Sequence, residues 1–335
     1  MTRSLVTGGC GFVGRHLADA LADRGDEVTA VDVRGKAWRD DVAVQIVDIR
    51  DPDAIADAIE GHDVVFHNAS LVHTRRSREE DVWAVNLGGT DNVLAACRKH
   101  GIRKLVYVSS ASVVYEGADI QNGDESLGYA RTSQAAYADS KIAAEKKLLA
   151  QSDDALATCS IRPHVIFGPG DTRLLPAILE RARQGKMKFS VGNGTHLSDF
   201  TYVTNLTDAL LAAEERLEPG SPIAGEAFFV TNGEPMPFFA FVSKVLAHLD
   251  LPPIRGRVPY FVAYSVAAAK ETWDTVVRGG TLNSEDGFSR FAVRYLCTHH
   301  YFDIGKAKRM LDWAPQVSLE DGILRTVETL RDEPS

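Results

Sequence analysis

The chain has 335 residues, 44% of them apolar and 25% charged. These are ordinary globular proportions, and a core of this size needs no disulfide or structural metal. The net charge of −9, from 37 basic and 46 acidic residues, argues against a nucleic-acid role, because phosphate backbones are held by basic surface.

At roughly 150 residues per domain the length predicts two domains, or one large α/β domain with an appendage. The opening MTRSLVTGG has no signal-peptide core and enters a strand at once. The longest uncharged apolar-rich run, Val258 to Ala269, is about half the length of a membrane-spanning helix. Cys10, Cys97, Cys159 and Cys297 lie far apart with no CxxC, so buried thiols in a reducing cytoplasm are expected.

In chain order, Ser4-Leu5-Val6 reads as a buried strand and Phe12 to Arg24 as a helix ended by Gly25-Asp26. Strands follow at Glu27 to Val31, closing on Asp32, and at Val44 to Val47, closing on Asp48. The next are Val64-Val65-Phe66 and Lys104 to Val108, with a helix between them from Val82 to His100. A helix from Tyr137 to Ala150 precedes a sixth strand, Thr158 to Ile161. This alternation predicts a doubly wound parallel sheet of Rossmann type. Beyond Arg162-Pro163 glycine and proline increase, which predicts a smaller, irregular C-terminal substrate lobe. The expected division is 1–163, rejoined by about 200–232 through Phe228-Phe229-Val230, against 164–199 and 233–335.

Between the first strand and first helix stands Thr7-Gly8-Gly9-Cys10-Gly11-Phe12-Val13-Gly14, a G-x-x-G-x-x-G spacing. Such a loop turns tightly, lets backbone approach a pyrophosphate, and aims helix N–H groups at it. Asp32, 18 residues after Gly14, stands where a dinucleotide fold places its ribose-binding carboxylate. A carboxylate there favours NAD over NADP, while Arg34 is a counter-signal that keeps NADP open. Asp48-Ile49 is expected to flank the adenine.

Tyr137-Ala138-Asp139-Ser140-Lys141 is Y-x-x-x-K. On a helix the two side chains share a face, and a nearby ammonium is expected to lower the phenol pKa, making Tyr137 a proton donor or acceptor near neutral pH. A hydroxyl to hold a reacting oxygen is expected from Ser109-Ser110-Ala111-Ser112, at the end of the fifth strand.

Together these residues resemble the extended short-chain dehydrogenase/reductases. Phe66-His67-Asn68-Ala69, Val85-Asn86-Leu87-Gly88-Gly89-Thr90 and Phe167-Gly168-Pro169-Gly170 add to the pattern, which covers nearly the whole chain. More narrowly, VSSASVVYEG (108–117), IRPHVIFGPGD (161–171), NGTHLSDFTYV (193–203) and FVTNGEPMPF (229–238) resemble the 3β-hydroxysteroid dehydrogenase family, especially its sterol-4α-carboxylate 3-dehydrogenase branch. The olefin-pathway reductases of 2-alkyl-3-keto acids are near relatives, but they lack an acid at the position of Asp32 and take NADPH.

The resemblance implies that Tyr137 exchanges the proton, Lys141 binds the nicotinamide ribose and tunes Tyr137, and Ser110 holds the reacting oxygen. It implies that Asn86 fixes the active-site network, that His67, Ala69 and Ser70 line the cofactor, and that Pro163 and Val165 cover the nicotinamide. The implied reaction interconverts a 3β-hydroxyl and a ketone on a hydrophobic sterol or steroid. A homodimer paired through the Asn86 and Tyr137 helices is implied as well.

Phe238, Phe239, Phe241, Tyr260, Phe261, Tyr264 and Trp273 supply apolar area in the second lobe, and the stretch Val258 to Ala269, followed by Lys270, Glu271 and Trp273, reads as core packing, as an apolar lid helix or as a membrane-surface helix. Arg75-Arg76-Ser77-Arg78 reads as a solvated loop or as a contact for a substrate carboxylate. His299-His300 is not read as a metal site. A nucleotide-sugar epimerase shares the loop and YxxxK, and it needs positively charged diphosphate ligands in the second lobe, which Arg173, Arg181 and Arg183 leave open; a dehydratase would need an acidic pair where Ala111-Ser112 stands. A non-catalytic NAD-sensing protein is the reading outside enzymes.

Overall fold

The structure is a computed structural model that describes residues 1–72, 78–132, 135–277 and 289–332. Its centre is a seven-stranded parallel sheet: β1 (Arg3–Thr7), β2 (Glu27–Asp32), β3 (Val42–Ile46), β4 (Val64–His67), β5 (Lys104–Val108), β6 (Ala157–Pro163) and β7 (Ala227–Val230). The order across the sheet is β7-β6-β5-β4-β1-β2-β3. Ser4 pairs with Val28 on one side and with Val64 on the other. The winding therefore reverses at β1, and the crevice beyond the strand ends at that point is where such sheets bind ligands.

Apart from the edge strand β3, which is largely exposed, the strands are buried on both faces, so they read as apolar runs without alternation. Helix α1 (Phe12–Arg24) stops at Gly25, whose φ of +94° lets its N–H reach back to the carbonyls of Ala22 and Leu21. Helix α2 (Pro52–Ile59) is capped by the Asp51 carboxylate with proline in its first turn. It was not foreseen in the sequence reading. The helix foreseen over Val82 to His100 is three pieces: α3 (Glu79–Trp83), a π-turn (Ala84–Gly88) and α4 (Gly89–Lys99). Helix α5 (Ala136–Ala150) follows.

Helices α6 (Leu174–Arg183), α7 (Val203–Arg216), α8 (Phe238–His248), α9 (Tyr260–Val277), α10 (Arg290–Leu296), α11 (Gly305–Met310) and α12 (Leu319–Asp332) complete the helical complement. One face of the sheet packs Leu17, Phe66, Leu206 and Phe228 with Ile304 and Trp313. The other packs Leu5, Ile55, Val93, Leu105 and Leu148. Residues around 304–313 thus join the main core, although the sequence reading assigned them to the second lobe.

That lobe has its own core, in which Phe241 stacks on Phe200 at 4.2 Å. It also has a four-stranded sheet built from 236–237, 197–198, 300–302 and 120–123. Residues 120–123, read as part of the first domain, are therefore an edge of the second lobe. Cys97 and Cys159 are buried, whereas Cys10 and Cys297 are only half-buried, because the loops that carry them face a cleft and the surface.

Candidate active site

The loop between β1 and α1 owes its shape to glycine at two points. Gly8 has φ +67°, and a Cβ there would lie 2.8 Å from the Ala69 Cα. A Cβ on Gly14 would lie 2.1 Å from the Gly8 oxygen. Gly14 is thus required for the helix to abut the loop, and it does not line the cleft as the sequence reading expected. Gly11 caps α1 with no side-chain partner for the helix N–H groups, which leaves this positive end open to an anion. The end opens into a cleft of about 660 Å³ lined by Gly8, Gly11, Phe12 and Val13.

At one end of the cleft lies Asp32, whose Oδ2 accepts from the Cys10 N–H at 3.2 Å, with Arg34 beside it. Asp48 and Ile49 line the same end. Arg50, which sequence reading missed, holds the Asp48 carboxylate at 2.5 Å and keeps its pKa below the usual carboxylate range. An open helix N-terminus, glycines that admit backbone contact and an acid at the end of β2 fit an adenine dinucleotide. Gly8, Gly11, Asp32 and Asp48 would hold it.

At the other end Ser110, Tyr137 and Lys141 meet, with Ala69, Ser70, Pro163 and Val165 around them. The Ser110 hydroxyl faces the Tyr137 phenol and accepts from the Ser112 hydroxyl at 2.9 Å. The Ser109 hydroxyl is buried instead, with no hydrogen-bond partner among the described residues. Val165 has φ +38°, a region that β-branched residues rarely enter, and it does so in the cleft wall.

Burial pushes the Tyr137 phenol up from its ordinary value; Ser110 most strongly, then the Arg173 charge and Ser70, oppose the rise. Lys141 is not among these influences. Its ammonium donates to the Val108 carbonyl at 2.6 Å and lies 4.2 Å over the Tyr107 ring. Burial pushes it down to about 7, against the pull of Glu145. The expected lowering of the phenol by the lysine is therefore corrected: desolvation outweighs a charge that is committed to β5.

Two further expectations change. His67 does not line the cleft. It is fully buried, with its ring nitrogens 2.7 Å from Thr7 Oγ1 and 2.9 Å from Thr90 Oγ1, and burial pushes it down to about 3. It is a neutral pin between β1, β4 and α4. Asn86 is also buried and stands in the π-turn. Its Oδ1 accepts from the Leu71 N–H at 2.7 Å, and its Nδ2 donates to the Ser140 hydroxyl at 3.0 Å. Asn86 thereby ties the loop after β4 to α5, a positioning role; π-turns recur where helices are bent toward a functional site.

A model of the 3-beta hydroxysteroid dehydrogenase/isomerase family matches residues 5–258. The chain belongs to this family. A 2-alkyl-3-oxoalkanoate reductase of Stenotrophomonas maltophilia is 38% identical over 328 residues, covering 96% of this chain and 97% of the relative. A decarboxylating sterol-4-alpha-carboxylate 3-dehydrogenase of Homo sapiens is 37% identical over 331 residues, covering 98% and 88%. The fold is similar to that of an epimerase from Methanothermobacter thermautotrophicus, with TM-score 0.78, 23% identity and coverage of 99% and 92%. It is similar also to a UDP-glucose 4-epimerase of Thermus thermophilus in complex with NAD, with TM-score 0.75, 23% identity and coverage of 99% and 100%.

In this member of the 3-beta hydroxysteroid dehydrogenase/isomerase family, a further group besides Arg50 escaped the sequence reading, and a second was weighed for another part. Glu145, one turn beyond Lys141, forms a buried pair with Arg162 at 2.5 Å and accepts from the Ser160 hydroxyl at 2.8 Å. Arg173 lines the cleft near Tyr137; sequence reading had weighed it only as a diphosphate ligand. Arg181 and Arg183 lie in the last turn of α6 and do not line the cleft. Of the basic cluster, Arg75, Arg76 and Ser77 fall outside the described residues, and Arg78 pairs with Asp81 at 3.0 Å. In the second lobe Phe241 is core, while Phe261 and Trp273 are 70% and 64% exposed on α9.

Proposed function

We propose that this protein oxidises a secondary alcohol to a ketone with NAD, on an apolar substrate bearing a carboxylate on the carbon next to the reacting one. The observation that carries the reading is one continuous cleft with the glycine loop and Asp32 at one end and Ser110, Tyr137 and Lys141 at the other. The nicotinamide, when bound, accepts a hydride. The Ser110 hydroxyl holds the substrate oxygen, and Tyr137 removes its proton. Lys141 sits one turn away, ready to exchange the Val108 carbonyl for a ribose hydroxyl. Asp32 accepts from the adenosine ribose and repels a 2′-phosphate, which supports NAD over NADP.

The substrate class is supported by two relatives whose names place a carboxylate beside the oxidised carbon: the sterol-4-alpha-carboxylate 3-dehydrogenase and the 2-alkyl-3-oxoalkanoate reductase. A sterol-like acid is the reading preferred here, and its β-keto acid product loses CO2 with no further catalytic residue. The second reading, reduction of a long-chain 2-alkyl-3-keto acid, is favoured by the 38% identity to the reductase.

No helix among the described residues is long and apolar enough to cross a membrane. The exposed Phe261, Val266 and Trp273 of α9 support contact with a bilayer surface by a cytoplasmic protein. A homodimer paired through α4 and α5 completes the proposal; light scattering tests it.

The deciding assay follows nicotinamide absorbance with NAD and NADP against 4α-carboxysterols, 3β-hydroxysteroids, long-chain 3-hydroxy acids and UDP-sugars. Turnover of the 4α-carboxysterols with NAD is the expected result; turnover of UDP-sugars alone overturns it.

A further inference from the structure

The residues assigned so far account for the substrate's reacting oxygen and leave its carboxylate without a partner. Five cationic side chains line the cleft among the described residues: Arg34, Arg50, Arg78, Lys141 and Arg173. Arg50 is paired with Asp48 and Arg78 with Asp81. Lys141 is committed to the Val108 carbonyl, and Arg34 stands beside Asp32, at the opposite end from Tyr137. Arg173 remains.

Its backbone is held firmly. The Asp171 carboxylate accepts from the N–H groups of Arg173, Leu174 and Leu175 at 2.8, 3.1 and 2.9 Å, so α6 starts from a fixed turn and the Arg173 side chain is not needed as a cap. That side chain crosses from the second lobe toward the sheet, where Nη1 donates to the Val72 carbonyl at 2.7 Å. Val72 follows Ser70 and Leu71, the segment that Asn86 holds against α5. One N–H of five is thus used, and no carboxylate lies within ion-pair distance of the guanidinium among the described residues. A guanidinium with donors to spare, exposed to the cleft and close enough to act on the Tyr137 phenol, matches a planar carboxylate two bonds from the carbon being oxidised.

We infer that Arg173 receives the substrate carboxylate and makes the enzyme selective for 3-hydroxy acids over uncharged alcohols. The inference rests on the oxidation proposed above. The competing occupant is the cofactor's pyrophosphate, because the segment leading to Arg173 also touches α1, where His16 Nε2 lies 2.8 Å from the Pro169 oxygen.

The test compares wild type, Arg173→Gln and Arg173→Lys on a 4α-carboxy-3β-hydroxysterol and its methyl ester. Kinetics are measured with NAD, and calorimetry measures NAD affinity and binding of the acid to the NADH-loaded protein. Arg173→Gln is expected to lose about 10- to 100-fold in kcat/KM on the acid, mostly through KM. The ester shows only the smaller loss that a less acidic Tyr137 imposes on both compounds, affinity for NAD stays unchanged, and Arg173→Lys recovers part of the loss on the acid. An equal loss on acid and ester, an unchanged acid, or a weakened NAD overturns the assignment, the last in favour of the pyrophosphate. If wild type turns over neither compound, the oxidation fails, and binding alone decides Arg173: weaker acid binding in Arg173→Gln upholds it, and equal or absent binding overturns it.

Discussion

Lys141 donates to the Val108 carbonyl at 2.6 Å, one helical turn from Tyr137, and leaves the phenol to Ser110. The phenol therefore titrates above its ordinary value, under burial that Ser110 only partly offsets. Oxidation needs its deprotonated form and reduction its protonated form. We expect kcat/KM for oxidation to rise with pH through the neutral and alkaline range while that for reduction stays flat. Profiles of both directions check this, and an oxidation rate already flat below neutrality contradicts it.

Removing the proton acceptor itself is the sharper test. Tyr137→Phe keeps the ring and deletes the hydroxyl. A loss of about 10²- to 10⁴-fold in kcat is expected, with calorimetric NAD affinity unchanged. Retained turnover removes Tyr137 from its assigned part.

Cofactor choice hinges on Asp32. Replacing it by glycine deletes an acceptor for a ribose hydroxyl and a charge that repels a 2′-phosphate. The kcat/KM for NAD should fall about 10- to 100-fold, and that for NADP should rise because Arg34 stands beside the vacated position. Equal effects on the two cofactors would place the ribose elsewhere.

The Glu145–Arg162 pair lies beneath Lys141 and carries a stability prediction. Burial works against the Glu145 charge, but Arg162 wins and holds the carboxyl below its ordinary value. Glu145→Gln leaves the Arg162 guanidinium buried without a counter-charge, at a cost of about 3–5 kcal/mol. Denaturant unfolding of the variant measures it.

Asp199 gives a pH signature. Burial raises its carboxyl from 3.8 to about 7, with the Phe302 N–H and Thr231 opposing. Over that interval the folded chain holds a proton that the unfolded chain has released. The stabilisation is complete below the unfolded value and is lost as pH rises through about 7. Asp199→Asn should therefore raise the melting temperature by several degrees at about pH 8 and leave it unchanged at about pH 4. The same difference at both pH values would mean that Asp199 does not titrate in this window.

The strands of the sheet and the two ends of the cleft were legible because each sits in local sequence: a glycine loop between strand and helix, an acid closing β2, Y-x-x-x-K on one helix face. Helix α2 carried its own signals in Asp51 and Pro52 and was passed over because it spans only Pro52–Ile59. The π-turn at Asn86 and the left-handed Val165 leave no period or composition to read. His67 was misplaced because it belongs to the stretch that lines the cleft while its own side chain points into the sheet's packing. The Glu145–Arg162 pair joins α5 to β6, a tertiary match that spacing does not announce. The direction of the Tyr137 shift depends on how much water the walls exclude, and sequence does not contain that.

The strand 300–302 lies between 197–198 and 120–123, and Phe302 stacks on Phe229 at 4.4 Å. These partners are synthesised long before it. On the ribosome the strands of the main sheet emerge early, but the wall behind the reacting groups, like the 304–313 part of the main core, waits for one of the last segments to emerge. Until then the Phe229 ring and the Asp199 carboxyl stay uncovered, so a chain arrested before residue 300 displays an open, sticky flank that chaperones and proteases can recognise.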